Sequence, residues 1–153
     1  MKSKIGVAFL VITAVSFIAN AIAHLSCLYF GPECYAVQLA PTELVESAKN
    51  GTYLAPLLNI IGSTIFIVIG LYALSGAGVM RKLPLLKIAI YSVSLLSIVR
   101  GILPLQKILR DPGSFSDAHF YYGIGWLVTG LLFLIGFIIC NRKANNESIS
   151  NRQ

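Results

Sequence analysis

Charge is scarce in this sequence. Of its 153 residues only 12% are Asp, Glu, Lys or Arg, while 56% are hydrophobic. An average soluble domain carries roughly 25% charged residues. A soluble chain of this length buries only part of its surface, so it has nowhere to hide that much apolar area. Acids are scarcer still: six against twelve bases, a formal charge of +6. In a soluble domain that excess would point to nucleic acid. Here the bases sit at the ends of apolar runs, with no basic stripe interleaved with aromatics, so a nucleic-acid partner is excluded and membrane topology explains the charge. The three cysteines contain no C-x-x-C pair, and the two histidines have no ligand-spaced mate on one helix. Thiol redox motifs and metal sites therefore lack their signatures. The apolar runs also contain no nucleophile motif, phosphate-binding loop or pair of catalytic carboxylates. Neither an enzyme nor a cofactor is expected.

What is there is four long apolar runs, at about 5–28, 53–74, 85–105 and 120–140. Each is close to the roughly 20 residues that cross a bilayer as a helix. None shows the short alternation of a barrel strand. The expected fold is an all-α integral membrane four-helix bundle over 1–141, followed by a polar, disordered tail at 142–153. Short links favour sequential neighbours, hence up-down-up-down order. The N-terminus also resembles a signal peptide, since "MKSK" leads into an apolar run and "AIA" at 21–23 fits a cleavage site. The 19 apolar residues from Ile5 to Ala23 exceed the usual length of roughly 7–15, so an uncleaved first span is the preferred reading. "HLSC" at 24–27 is a poor match to a lipoprotein processing site.

The bases set an orientation. Lys2, Lys4, Arg81, Lys82, Lys87, Arg142, Lys143 and Arg152 fall on one side of the threading, and five of the six acids fall on the other. The positive-inside rule makes the first side, with both termini, cytoplasmic. Glu33, Glu43, Glu46, Asp111 and Asp117 then lie in two external loops. In the first of these, "APTELVESAKNGTY" reads as a short interfacial helix at about 43–49. Thr42 is its expected N-cap, Glu43 suits the positive end, and Asn50-Gly51 supplies a left-handed stop. Leu44, Val45 and Ala48 give it one apolar side.

The cytoplasmic link reads "YALSGAGVMRKLPLLK" at 72–87. Gly76 and Gly78 are expected to break the second span, and Pro84 to occupy the first turn of the third. This segment resembles a group of small, uncharacterised four-span inner-membrane proteins of proteobacteria. Those share an aromatic-Ala-Leu-Ser-Gly-Ala-Gly stretch, two basic residues and Leu-Pro-Leu-Leu. The similarity reaches up to "APTELVESAKNGTY" and down to "VRG" at 99–101, about the middle half of the chain. The resemblance implies the threading and a bacterial inner membrane, and it implies no activity.

Polar residues within the spans recur at helical spacing: Thr13, Ser16, Asn20 and His24; Asn59, Ser63 and Gly70; Ser94, Ser97, Arg100 and Gly101; Gly125, Thr129 and Gly136. Small and hydroxyl residues at such spacing are the usual means of packing membrane helices. Asn20, His24, Asn59 and Arg100 are larger and more polar than packing requires. With His119 and Tyr122 they are the expected lining of an outward-opening pocket, where Arg100 faces inward or else snorkels to the surface. Cys27 and Cys34 share the external side, where Gly31-Pro32 can turn the chain between them, leaving a structural disulfide and two free thiols both open.

The leading functional expectation is a non-enzymatic inner-membrane protein that binds membrane lipids, another membrane protein or further copies of itself. A carrier for a small molecule or ion, working through the Arg100 pocket, is the alternative. It is weakened by the small size and by the lack of an inverted repeat or broken helix. Thiol–disulfide exchange at Cys27 and Cys34 is a third.

Overall fold

In lipid no water is at hand to satisfy a free N–H or C=O, so an apolar run must close its hydrogen bonds within itself. The four runs do so. The computed structural model describes residues 3–110 and 117–150 and contains α1 (Lys4–Phe30), α2 (Pro32–Val37), α3 (Thr42–Lys49), α4 (Leu54–Ala77), α5 (Leu86–Arg110) and α6 (Asp117–Ser150), with no strand among the described residues. Lys4–Phe30, Leu54–Ala77, Leu86–Gln106 and Ala118–Arg142 are long and apolar enough to cross a membrane. Only 22–33% of the most apolar window of each is buried within the protein. Ile22, Leu95 and Leu96 are each more than 60% exposed. Such surface is stable against acyl chains and not against water, so this is a multi-pass, all-α membrane protein.

The helices sort into two compact units, one from Val15 to Gly70 and the other from the chain on either side of it. In the Val15–Gly70 unit the later part of α1 runs antiparallel to the start of α4. Phe17 and His24 both stack on Phe66, with ring centroids 6.1 and 5.4 Å away. Between them in sequence, α2 and α3 pack round a small core of Cys27, Tyr35 and Ala55, which Leu44, Val45 and Ala48 of α3 help to cover. α2 was not foreseen; in sequence Gly31-Pro32 read only as a place where the chain can turn.

Helix α3 ends as its sequence predicts. Gly51 takes φ +65°, the Thr52 N–H bonds the Ser47 carbonyl at 3.0 Å, and the Gly51 N–H points to Ala48. This is the double closure that a left-handed residue allows. Its start corrects the expectation. Pro41, at φ −51° and ψ 146°, is the N-cap, and no side chain caps the helix. Proline's fixed φ already supplies the extended entry. Helix therefore begins at Thr42, one residue early for the threonine hydroxyl to act as a cap.

In the second unit the first part of α1 packs antiparallel on α6, and α5 on both α6 and the end of α4. Small residues carry the crossings. A Cβ on Gly101 would lie 2.5 Å from the Leu127 nitrogen, one on Gly130 2.9 Å from Ser97, and one on Gly136 2.9 Å from Phe9. Gly125 departs from the expected packing face, since a Cβ there would meet open space; Gly123, against Gly101 and Pro104, takes that role instead. Gly76 does not break α4. It is buried within the helix against Ile90, Leu10 and Phe137, and the stop comes at Gly78 with φ +81°. Pro84 lies outside α5, which begins at Leu86 after Leu85 takes φ 53°. The polar tail also differs from expectation. α6 stays helical through Ser150, because no Gly or Pro follows Gly136 to stop it. Residues 151–153 lie outside the described residues.

Candidate functional site

Three of the six residues expected to line a pocket belong to the Val15–Gly70 unit. There Asn59, on α4, is buried at 7% exposure, and its side-chain N–H donates to the backbone carbonyl of His24 at 2.8 Å. Its side-chain oxygen accepts from the Ser63 hydroxyl at 3.4 Å. His24 and Asn20 are half-buried on α1. Asn59 thus ties α4 to α1 and its amide is committed, as a polar group inside a membrane bundle must be.

The other three, Arg100, His119 and Tyr122, belong to the second unit. Arg100 is exposed, with its guanidinium carbon 5.3 Å from the Trp126 ring centroid, a cation–π distance. It does not share the burial of Ser94 and Ser97, which are 0% and 2% exposed. The reason is angular. Each three-residue step falls about 60° short of a full turn, so two steps carry Arg100 about 120° round the helix from Ser94. Gly101, one residue on, falls back on the buried face and is buried. His119 is half-buried and Tyr122 exposed. The side chain of Asp117 lies outside the described residues.

Cys27 and Cys34 are joined as a disulfide. Cys27 is 1% exposed, in the core that α2 and α3 close over. The Gln38 side-chain N–H donates to the Ala23 carbonyl at 2.6 Å and lies 2.9 Å from the Cys27 sulfur. The bridge and Gln38 together pin α2 to the end of α1.

Two buried serines passed unnoticed in the sequence. The Ser47 hydroxyl is 2.6 Å from that of Thr52 and accepts the Ala55 N–H at 2.9 Å. Ala55 lies in the first turn of α4, where N–H groups have no partner in their own helix. The Ser75 hydroxyl donates to the Arg81 carbonyl and accepts the Leu83 N–H, both at 3.0 Å. The Tyr72 hydroxyl donates to the Pro84 carbonyl at 3.1 Å. These bonds account for Pro84 standing outside the helix, because the link's backbone is held by side chains of α4. They also give the Tyr72–Gly78 segment a physical purpose: Tyr72 and Ser75 hold the link, Gly76 permits close packing, and Gly78 ends the helix.

That link forms one wall of a cavity of about 420 Å³ within the second unit. Gly76, Leu86, Ile88 and Phe137 line it with apolar surface, and Lys82 and Lys87 supply its charge. The volume falls in the range of small-molecule sites, roughly 300–1,000 Å³. Cys140, a buried cysteine outside the disulfide, also borders it. In sequence the two lysines read only as topology signals, since nothing local shows that the link folds back over the ends of three helices. Comparison with family models, with curated proteins and with solved structures found no match.

Proposed function

We propose that this multi-pass protein resides in a bacterial inner membrane and acts without catalysis, as a binder of membrane lipid. The termini and the Arg81–Lys82 link lie in the cytoplasm in this reading, with the α2–α3 segment outside. One observation carries it: the cavity beside the α4–α5 link combines apolar walls with two lysines at the end of membrane-spanning helices. That is the chemistry of an amphiphile with an anionic head. The carrier reading is disfavoured because Asn59 spends its amide on the His24 carbonyl and Arg100 stands exposed on Trp126. The exchange reading is disfavoured because Cys27 is buried beneath α2 and α3. The likeness to small four-span proteobacterial proteins agrees with the proposed membrane.

The test is purification of the full chain in mild detergent, followed by mass spectrometry of whatever remains bound. Lipid enriched over the composition of the source membrane supports the proposal. Complete delipidation at the first mild wash, with no lipid rebound on addition, overturns it.

A further inference from the structure

We propose that the cavity beside the α4–α5 link is a site for one anionic phospholipid, its phosphate held between Lys82 and Lys87 and the upper part of an acyl chain laid along Gly76, Ile88 and Phe137. This rests on the lipid-binding reading above and gives it a place and a headgroup.

The first support is charge. From Leu71 to Arg110 the chain has no acidic residue. Among the described residues neither lysine pairs with a carboxylate, and both are exposed. Two unpaired ammonium groups beside one cavity repel each other, and an anion between them relieves that repulsion. The second support is shape. The backbone under the lysines is fixed, because Ser75 binds Arg81 and Leu83 on either side of Lys82. Lys87 is held in the first turn of α5. A pre-formed site gives up less entropy when it is occupied. The third support is the amphipathic division of the lining. Gly76 and Phe137 are buried parts of α4 and α6, whereas Ile88 is 63% exposed. The apolar wall therefore runs from the protein interior to the lipid-facing surface, a path for a chain anchored in the bilayer. Inorganic phosphate would use the lysines alone and leave that wall bare. Basic pockets between membrane helices on the cytoplasmic side are recognised sites for anionic headgroups, and the proposed orientation puts this one there.

The experiment is native mass spectrometry of the full-length protein in mild detergent, titrated with phosphatidylglycerol and with phosphatidylcholine of the same acyl chains. Lys82→Gln, Lys87→Gln and the double variant are compared with Lys49→Gln, which removes one positive charge in the other unit. Each cavity lysine removed should weaken phosphatidylglycerol binding about fivefold, the factor that the pull of one surface lysine on an anionic membrane corresponds to. The double variant should approach the affinity for phosphatidylcholine, while Lys49→Gln and the charge-conserving Lys82→Arg/Lys87→Arg pair should bind as the wild type does. Ile88→Trp, which fills the apolar wall and leaves both lysines, should weaken both lipids. Circular dichroism checks that every variant remains helical. Unchanged phosphatidylglycerol affinity in the double variant, or full displacement of the lipid by millimolar inorganic phosphate, overturns the site while leaving lipid binding intact. A wild type that binds neither lipid overturns the functional proposal itself.

Discussion

Replacing Ser47 with alanine tests how the α2–α3 segment is fastened to the membrane helices. The Ser47 hydroxyl accepts the Ala55 N–H at 2.9 Å in a buried setting. That N–H is one of the four at the start of α4 with no partner in its own helix. Removing a side-chain cap costs about 1 kcal/mol, and leaving a buried donor unsatisfied brings the total to about 2. Alanine's better helix propensity returns about 0.5 kcal/mol inside α3. The Thr52 hydroxyl keeps a bond to the Ser47 carbonyl, at 3.3 Å, so its loss of a partner adds little. The net is about 1.5 kcal/mol, which is a little over tenfold in a local opening equilibrium. Amide exchange of the protein in micelles should therefore quicken about tenfold at Ala55 and across 43–49, with α5 and α6 unchanged. Thr42→Ala is the internal control. Thr42 makes no capping bond, so that change should stay within about 0.5 kcal/mol. If Thr42→Ala disturbs α3 more than Ser47→Ala does, the capping argument is wrong.

Other expectations follow from the same geometry. Gly101→Ala should cost about 2–3 kcal/mol in unfolding by denaturing detergent, because its Cβ would fall 2.5 Å from the Leu127 nitrogen, whereas Gly125→Ala, which meets nothing, should be neutral or slightly stabilising. The Cys27–Cys34 bridge closes a short loop, so the Cys27→Ser/Cys34→Ser pair should cost about 2–3 kcal/mol, seen as faster exchange in α2 while the spanning helices keep their helical circular dichroism. Reporter fusions after Lys143 and within the Arg81–Lys82 link should report cytoplasm, and one near Lys49 the outside; a C-terminal reporter outside would mean an odd number of spans.

The spans were legible in the sequence because lipid leaves a long apolar run no alternative to helix. The stop of α3 was legible because Asn50-Gly51 carries its own backbone preference. Packing residues were legible as a class but not one by one. Gly123 and Gly125 look alike in a sequence, and only the crossing of α5 on α6 selects the first. Arg100 misled because a spacing of three looks like one face, although the mismatch with 3.6 residues per turn accumulates over two steps. Ser47 and Ser75 stayed hidden for a different reason. Each acquires its role only because the following loop doubles back, and that path is not written in neighbouring residues. The cavity is a product of the same folding back.

The start of α1 packs on α6, with Gly6 beside Gly136 and Cys140 and with Phe9 against Gly136. In the order of synthesis α1 leaves the ribosome before α6 does. Gly6 and Phe9 of α1 must therefore wait for their partners in α6, although Leu10 already has Gly76 of α4 to meet. The Val15–Gly70 unit has no such delay, because its partners in α1 and α4 are both present before α5 emerges. A chain interrupted after α5 would carry the Val15–Gly70 unit with both its partners, and an α1 whose Gly6 lacks Gly136 and Cys140, a close-approach position of the kind by which membrane helices pack. The contact of Gly6 with Gly136 and Cys140 therefore marks the moment at which the fourth span is in place.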